Sequence, residues 1–314
     1  MSKIDGVVLE VTPLTDRISS LIVAATDGRV LPEWEAGAHV EFDVPGGTRA
    51  YSLVAFDADM MSAPKEYRIT VQREDEGQGG SKAMHALTVG DPVTFAAPKN
   101  DFPVKLDAPA VLLAGGIGVT PMISMAAALQ AAGQRFAFHY AGRTGAAMAY
   151  HERLADTLGE AFHLHCDDDT SALDLDALIS GLGDAHLYVC GPRGLLDAVR
   201  AKAEGAGIPA DHVHFELFTA AEAQEGDSAF EVQINDGRVF TIPADKTIVE
   251  VLEEHDVDVL YDCQRGDCGI CQCDVIEGVP DHRAVVLSVA ERSAGDVRQI
   301  CVSRAKSARL VLDI

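Results

Sequence analysis

Four cysteines near the end of the chain, Cys263, Cys268, Cys271 and Cys301, stand in a pattern that could do chemistry. The first three read C-x4-C-x2-C, and the fourth follows after 29 intervening residues. Thiolates at this plant-type spacing hold a [2Fe–2S] cluster. The loop must wrap two irons with three sulfurs and turn tightly enough for main-chain amides to point at them, a freedom that Gly266 and Gly269 supply. Those amides stabilise the more negative, reduced cluster. The alternative is structural zinc, but zinc ribbons normally use paired C-x2-C knuckles and only one exists here. Cys273 has no ligand slot in the pattern and, like Cys166, reads as a small buried hydrophobe. Cys301 falls in strand-like sequence.

Glycine-rich segments give three further candidates. Gly79-Gly80-Ser81 opens a short helix, where amides and a hydroxyl form an anion site that the glycines leave open; the alternative is a simple N-cap by Ser81. The run Leu113-Ala114-Gly115-Gly116-Ile117-Gly118-Val119-Thr120-Pro121 turns from strand to helix without being G-x-G-x-x-G. Thr120 is its expected N-cap and Pro121 its expected first helical residue. Cys190-Gly191-Pro192 follows an apolar strand, which puts the thiol at a sheet edge; a buried strand-end cysteine is the competing reading.

The elements that must position these residues are legible in outline. Up to residue 103, short strands such as Ser20 to Ala24, His39 to Val44 and Tyr67 to Val71 are divided by turn signals, the spacing of an antiparallel barrel with one short helix from Ser81 to about Leu87. From Ala110 apolar runs alternate with amphipathic segments: Val111 to Ala114 then Pro121 to Ala132, Phe136 to Tyr140 then His151 to Leu158, and again after Phe162 to His165 and Leu187 to Cys190. That rhythm is a parallel sheet covered on both faces. Residues 219–228 form the linker candidate. Beyond it, Asn235-Asp236-Gly237 marks a hairpin, and a helix from about Thr247 to His255 leads into the cysteines. The fold class is therefore multidomain: β-barrel over 1–103, α/β domain over 104–222 and α+β domain over 228–314.

Composition narrows the function class. The formal net charge is −24, divided −7, −10 and −7 over residues 1–103, 104–227 and 228–314. Every part repels phosphate polymers, so nucleic acid is excluded as an expected partner, while a basic protein surface would be steered towards the chain at low salt. Plain solubility accounts for many of these charges as well. Seven cysteines with four crowded together argue for thiolate chemistry in a reducing compartment, not a disulfide framework. No apolar run reaches the roughly 18 residues of a membrane span, and the expected location is cytoplasmic.

Residues 228–314 resemble a plant-type ferredoxin of β-grasp fold, and Gly278-Val279-Pro280-Asp281-His282-Arg283 resembles the ferredoxin domain of the phthalate dioxygenase reductase family, vanillate O-demethylase reductases included. The resemblance spans essentially the whole chain. It implies a flavin barrel and a nicotinamide domain ahead of the ferredoxin domain. Arg49-Ala50-Tyr51-Ser52 then resembles the flavin motif R-x-Y-S: guanidinium to the phosphate, tyrosine ring against the flavin, serine hydroxyl near N5. Without that context an Arg and a Tyr on alternate strand positions are ordinary surface and core residues. Gly80 and Ser81 would meet the phosphate, with Gln78 where relatives often carry an arginine. Gly115, Gly116, Gly118, Thr120 and Pro121 would form the nucleotide loop, and Cys190, Gly191 and Pro192 would lie by the reacting nicotinamide carbon. Arg143 would reach the adenosine, a solvated arginine being the alternative. Phe218, in Phe215-Glu216-Leu217-Phe218, would cover the flavin face, with core packing as the competitor.

The implied activity passes electrons from NADH to FMN, then to the [2Fe–2S] cluster, then to a Rieske-type oxygenase. FMN is expected over FAD, and NADH over NADPH because no basic cluster follows Arg143 to hold a 2′-phosphate. Other acceptors, such as a cytochrome P450, and a non-catalytic electron-transfer subunit are the rival readings. The reductase is expected to be monomeric and to bind neither membrane nor nucleic acid.

Overall fold

The structure, a computed structural model, describes residues 3–75, 79–218 and 226–314. Gln78 and most of the linker candidate, 219–225, lie outside the described residues. The chain divides into two compact units, Met1–Glu216 and Leu217–Ile314. The expected barrel and parallel sheet share the first of them.

In the first unit β1 (Lys3–Pro13), β2 (Ile18–Ala25), β3 (His39–Val44), β4 (Gly47–Ser52), β5 (Tyr67–Gln72) and β6 (Pro92–Ala96) form one antiparallel sheet in the order β4-β3-β6-β1-β2-β5, with α1 (Gly80–His85) after β5. Its edges meet. Leu53, just past β4, bridges Ile69 of β5, and the Val54 N–H donates to the Arg68 carbonyl at 2.9 Å. Alternation does the rest, turning Val40, Phe42, Tyr67, Ile69 and Phe95 into a fully buried core in which the Phe42 and Phe95 ring centres lie 5.2 Å apart.

The parallel sheet takes β7 (Ala110–Gly115), β8 (Phe136–Gly142), β9 (Phe162–Cys166), β10 (His186–Cys190) and β11 (Val213–Glu216) in the order β11-β10-β7-β8-β9. Helices α2 (Val119–Ala131), α3 (His151–Leu158), α4 (Leu175–Ser180) and α5 (Arg193–Gly205) connect the strands. Strand order reverses direction between β7 and β10, the switch point at whose carboxyl end sheets of this kind take their ligands. Most of α2 is buried, because the barrel as well as the sheet lies against it. Its Ser124 hydroxyl is fully buried, accepts from the Ala55 N–H at 2.9 Å and donates to the Leu53 carbonyl at 2.7 Å. The Tyr150 and Thr70 hydroxyls share a second such bond at 2.7 Å.

In the second unit β12 (Phe230–Gln233), β13 (Val239–Ile242), α6 (Ile248–Glu254), β14 (Gln272–Glu277), β15 (Pro280–Asp281), α7 (Val289–Ala294), β16 (Val297–Gln299), β17 (Arg304–Ala305) and β18 (Arg309–Leu312) build a sheet ordered β13-β12-β18-β14-β16, with β15 and β17 paired separately. The expected hairpin forms, β12 and β13 pairing antiparallel around Gly237 at φ +87°. Thr247 caps α6 in a reciprocal capping box with Glu250. Cys301, expected in a strand, instead sits in the turn after β16, because the main chain must leave the sheet to bring its sulfur to the cysteine loop.

Two predictions follow from the first unit. Ser124→Ala leaves a buried amide and a buried carbonyl without a partner and should lower its stability by about 1–3 kcal/mol, read as an earlier urea midpoint; an unchanged midpoint would remove the tie. Two histidine stacks set the acid limit. His139 shares a hydrogen bond with His165 at 3.0 Å beside His163, and His214 shares one with His186 at 3.0 Å beside His212. Burial first, then the neighbouring rings, pushes His139 and His214 down to about 4. The unfolded chain, titrating near 6.5, binds more protons below that pH, so stability is intact above pH ~6.5 and is lost as pH falls towards ~4. Unfolding midpoints measured across that window should fall, and should fall less in His139→Phe.

Candidate functional site

β4 aligns Arg49, Ala50, Tyr51 and Ser52 opposite Phe42, Glu41, Val40 and His39 of β3. The Arg49 stem lies over α1: a Cβ on Gly80 would stand 2.9 Å from Arg49 Cγ, so only glycine lets the guanidinium rest against the Gly79–Ser81 turn. Arg49 Nη1 donates to the Thr48 carbonyl at 2.6 Å. The Tyr51 phenol is pushed up to about 12 by burial, against the pull of Arg49, and stays neutral. Ser52 is buried, and its hydroxyl has no hydrogen-bond partner among the described residues. An orphaned buried hydroxyl at the end of β4 fits a hydrogen-bonding ring such as flavin. Ser81 is not the helix cap. Gly79 holds that position at φ +91°, and Ser81, already inside α1, accepts from the Glu74 N–H at 2.9 Å.

The loops after β7 and β10 meet backbone to backbone. A Cβ on Gly118 would lie 2.1 Å from the Cys190 carbonyl oxygen, one on Gly115 2.8 Å from Pro192 Cδ, and one on Gly191 2.9 Å from Gly115 Cα. Gly116 takes a left-handed φ of +55°. The helix starts earlier than expected. A tight turn over Gly116–Gly118 runs straight into α2 at Val119, so Thr120 is not the cap and Pro121 is not the first helical residue; the buried Thr120 hydroxyl donates to the Ile117 carbonyl at 3.1 Å. Pro121 is still within the first turn, where its missing N–H costs nothing.

Cys190 is fully buried at the end of β10, in register with Glu216 of β11, its Sγ 3.9 Å from Glu216 Oε2. Glu216, itself buried, was missed by sequence reasoning; its signal was an acid inside an apolar, aromatic strand end. Arg143 is exposed just beyond β8. Phe218 is half-buried at the start of the second unit.

In that second unit the four cysteine sulfurs converge. Their thiols act on one another: Cys301 holds Cys263 and Cys271 below the usual thiol range and is itself raised by them, while burial raises Cys268. The Arg265 N–H donates to Cys263 Sγ at 3.3 Å. Gln264, Gly266 and Gly269 all have positive φ, and a Cβ on Gly266 would stand 2.7 Å from Val302. Convergent sulfurs with an amide aimed at them fit a [2Fe–2S] cluster held by Cys263, Cys268, Cys271 and Cys301. Cys273 is pushed up to about 12 by burial and stands outside the set. Cys166 is buried, with carboxylate oxygens of Asp168 and Asp169 within 4.8 Å. Asp267 was also missed: its side chain, 7% exposed, accepts from the Leu217 N–H at 3.0 Å, and desolvation raises its carboxyl to about 6.

Comparison with known proteins agrees with this division. Residues 232–306 match the family described as 2Fe-2S iron-sulfur cluster binding domain, and residues 112–201 the oxidoreductase NAD-binding domain. The chain is 38% identical to tetrachlorobenzoquinone reductase of Sphingobium chlorophenolicum, over 100% of this chain and 99% of that one. It is 39% identical to vanillate O-demethylase oxidoreductase of Pseudomonas sp. (strain HR199 / DSM 7063), over 95% of each. Among solved structures, phthalate dioxygenase reductase, described as modular for electron transfer from pyridine nucleotides to [2Fe–2S], superposes with a TM-score of 0.73 at 36% identity, covering 100% of this chain and 98% of that one. Full-length CYP116B46 from Tepidiphilus thermophilus gives a TM-score of 0.76 at 32% identity, but this chain spans only 42% of it.

Gly266→Ala should prevent stable cluster assembly, because the new methyl meets both a left-handed backbone and Val302. Iron and sulfide content after anaerobic reconstitution should fall several-fold; full occupancy would show that the loop tolerates a side chain there.

Proposed function

The chain belongs to the phthalate dioxygenase reductase family, and we propose that it serves there as the NADH-dependent reductase component of an oxygenase system. Its activity is that of an oxidoreductase, with electrons running from NADH through FMN and a [2Fe–2S] cluster to the oxygenase. The observation that carries the reading is the presence, in one chain, of four mutually interacting cysteines and of a glycine-lined switch point where Gly118 is pressed against Cys190 and Gly191. A pure electron carrier needs the first and has no use for the second.

When bound, the flavin takes a hydride and releases its electrons singly, and the cluster takes them one at a time. The residues supply position and polarity. Arg49, Gly80 and Ser81 hold the phosphate, Tyr51 lies along the flavin as a neutral ring, and Ser52 donates its free hydroxyl near N5. Gly115, Gly116, Gly118, Thr120 and Pro121 let the dinucleotide approach the backbone. Cys190, Gly191 and Pro192 set the depth of the nicotinamide, with Glu216 holding the Cys190 side. Arg143 reaches the adenosine, and Phe218 covers the flavin when no nicotinamide is present. Cys263, Cys268, Cys271 and Cys301 hold the irons.

FMN is favoured over FAD because the Arg49 and Gly79–Ser81 cradle ends the cofactor at a single phosphate. NADH is favoured over NADPH because Asp167, Asp168 and Asp169 crowd the carboxyl end of β9, where a 2′-phosphate would be repelled. The partner is an oxygenase; a cytochrome P450 is the second reading, favoured by the likeness to CYP116B46. We take the reductase to be a cytoplasmic monomer divided at 1–103, 104–222 and 228–314. No described helix is long and apolar enough to cross a membrane.

Anaerobic titration with NADH, followed by absorbance and EPR, tests the path. Acid-released FMN and a reduced [2Fe–2S] signal that grows with NADH are expected, and in Cys301→Ser the flavin should still bleach while the cluster signal is lost. A cluster that NADH leaves oxidised would mean an electron-transfer subunit; a wild-type cluster in Cys301→Ser would remove that ligand.

A further inference from the structure

Arg298 of β16 is completely buried, and the proposed electron path makes no use of it. Its Nη2 donates to the Ser303 carbonyl at 2.6 Å, while Nε and Nη1 have no hydrogen-bond partner among the described residues. The neighbouring arginines are treated differently. Arg283 pairs with Asp227 at 2.5 Å and with Asp281 at 2.8 Å, and Arg304 donates to the carbonyls of Lys246, Pro243 and Ser228. The nearby carboxylates are thus committed to Arg283, and Arg298 has none within ion-pair distance among the described residues.

A buried guanidinium without a counter-ion is strongly disfavoured. Burial pushes Arg298 down only to about 10, so it remains charged at neutral pH. His282 cannot balance it, because an imidazole is either neutral or cationic; burial, then Arg292, Arg298 and Lys306, hold that ring below its usual value. Arg298 lies against the segments that carry the cysteines. It pairs in register with Cys273 on β14, two residues past Cys271; the Ile300 N–H donates to the Cys271 carbonyl at 3.2 Å; and the Ser303 carbonyl it grips belongs to the turn that carries Cys301. Cys273, Asp281 and Cys271 all act to keep it charged, against the effect of burial.

We propose that the counter-ion of Arg298 is the iron–sulfur cluster itself, and that this buried cation raises the cluster's reduction potential. The inference rests on the proposed ligand set. A [2Fe–2S] centre with four thiolates is net negative and gains one further negative charge on reduction, so a fixed positive charge beside Cys271 and Cys301 favours the reduced form. Arg298 touches neither substrate nor flavin in this account, and acts only through its field.

The test is an EPR-monitored redox titration of full-length wild type, Arg298→Met and Arg298→Lys. In the methionine variant the reduced-to-oxidised ratio at a fixed poise should fall about ten-fold, equivalent to a midpoint ~59 mV lower for a one-electron couple, while the lysine variant should stay near wild type. A methionine variant with its cluster intact and its potential unchanged would overturn the proposal, as would a lysine variant displaced as far as the methionine one. If the methionine variant loses its cluster, Arg298→Gln replaces it under the same criteria, and loss from all three variants overturns the proposal. A wild type without any [2Fe–2S] signal would overturn the ligand reading instead.

Discussion

Gly118 lies so close to the peptide joining Cys190 to Gly191 that no side chain fits between them, and Gly115 is packed, less tightly, against Leu195, Pro192 and Gly191. These contacts are made where strand order turns back in the parallel sheet, the place at which the loops of such sheets part and a ligand can enter. The glycines remove bulk from the floor of that opening. With two peptide planes in contact, Cys190 and Glu216 are fixed side by side at the ends of adjacent strands, and the start of α2 is fixed with them. The barrel is then positioned by α2, because Ser124 bonds the chain just past β4 on both sides of Val54. The order of dependence runs from glycine contact to helix to barrel, and so to Arg49, Tyr51 and Ser52.

A second principle governs where charge is allowed to go underground. The chain is strongly acidic, yet the second unit draws its charged side chains inward at particular places. Arg283 and Asp227 hold the first residues of that unit to the Pro280–Asp281 strand, Asp267 receives the Leu217 amide, and Arg298 lies behind the cysteine turn. Broken pairs of this kind are costly and well-formed ones roughly neutral, so they specify geometry more than they add stability.

Much of this was legible in the sequence. His39–Val44 and His151–Leu158 form with the bounds that alternation and amphipathic spacing predict, and the helix expected from about Thr247 to His255 runs from Ile248 to Glu254. Those features are local: period, turn chemistry and capping act within a few residues. Misreadings arose where the decisive partner is remote. Thr120 carried every local mark of an N-cap, but the close approach to Cys190 tightens Gly116–Gly118 into a turn and starts the helix at Val119. Cys301 read as strand until the sulfurs it must join pulled it into a turn. Ser124, Glu216, Asp267 and Arg298 looked like ordinary helix, strand and loop residues, since each takes its meaning from a neighbour far along the chain.

The paired bonds of Ser124 also bear on how such chains can be cut and rejoined. Separating barrel from sheet would strand a buried amide and a buried carbonyl, whereas the boundary between Glu216 and Leu217 falls between two compact units. The seam for recombination therefore lies at the second place and not the first. A terminal iron–sulfur module can be exchanged, moved or fused elsewhere as a cassette, but the two preceding halves are inherited as a single part.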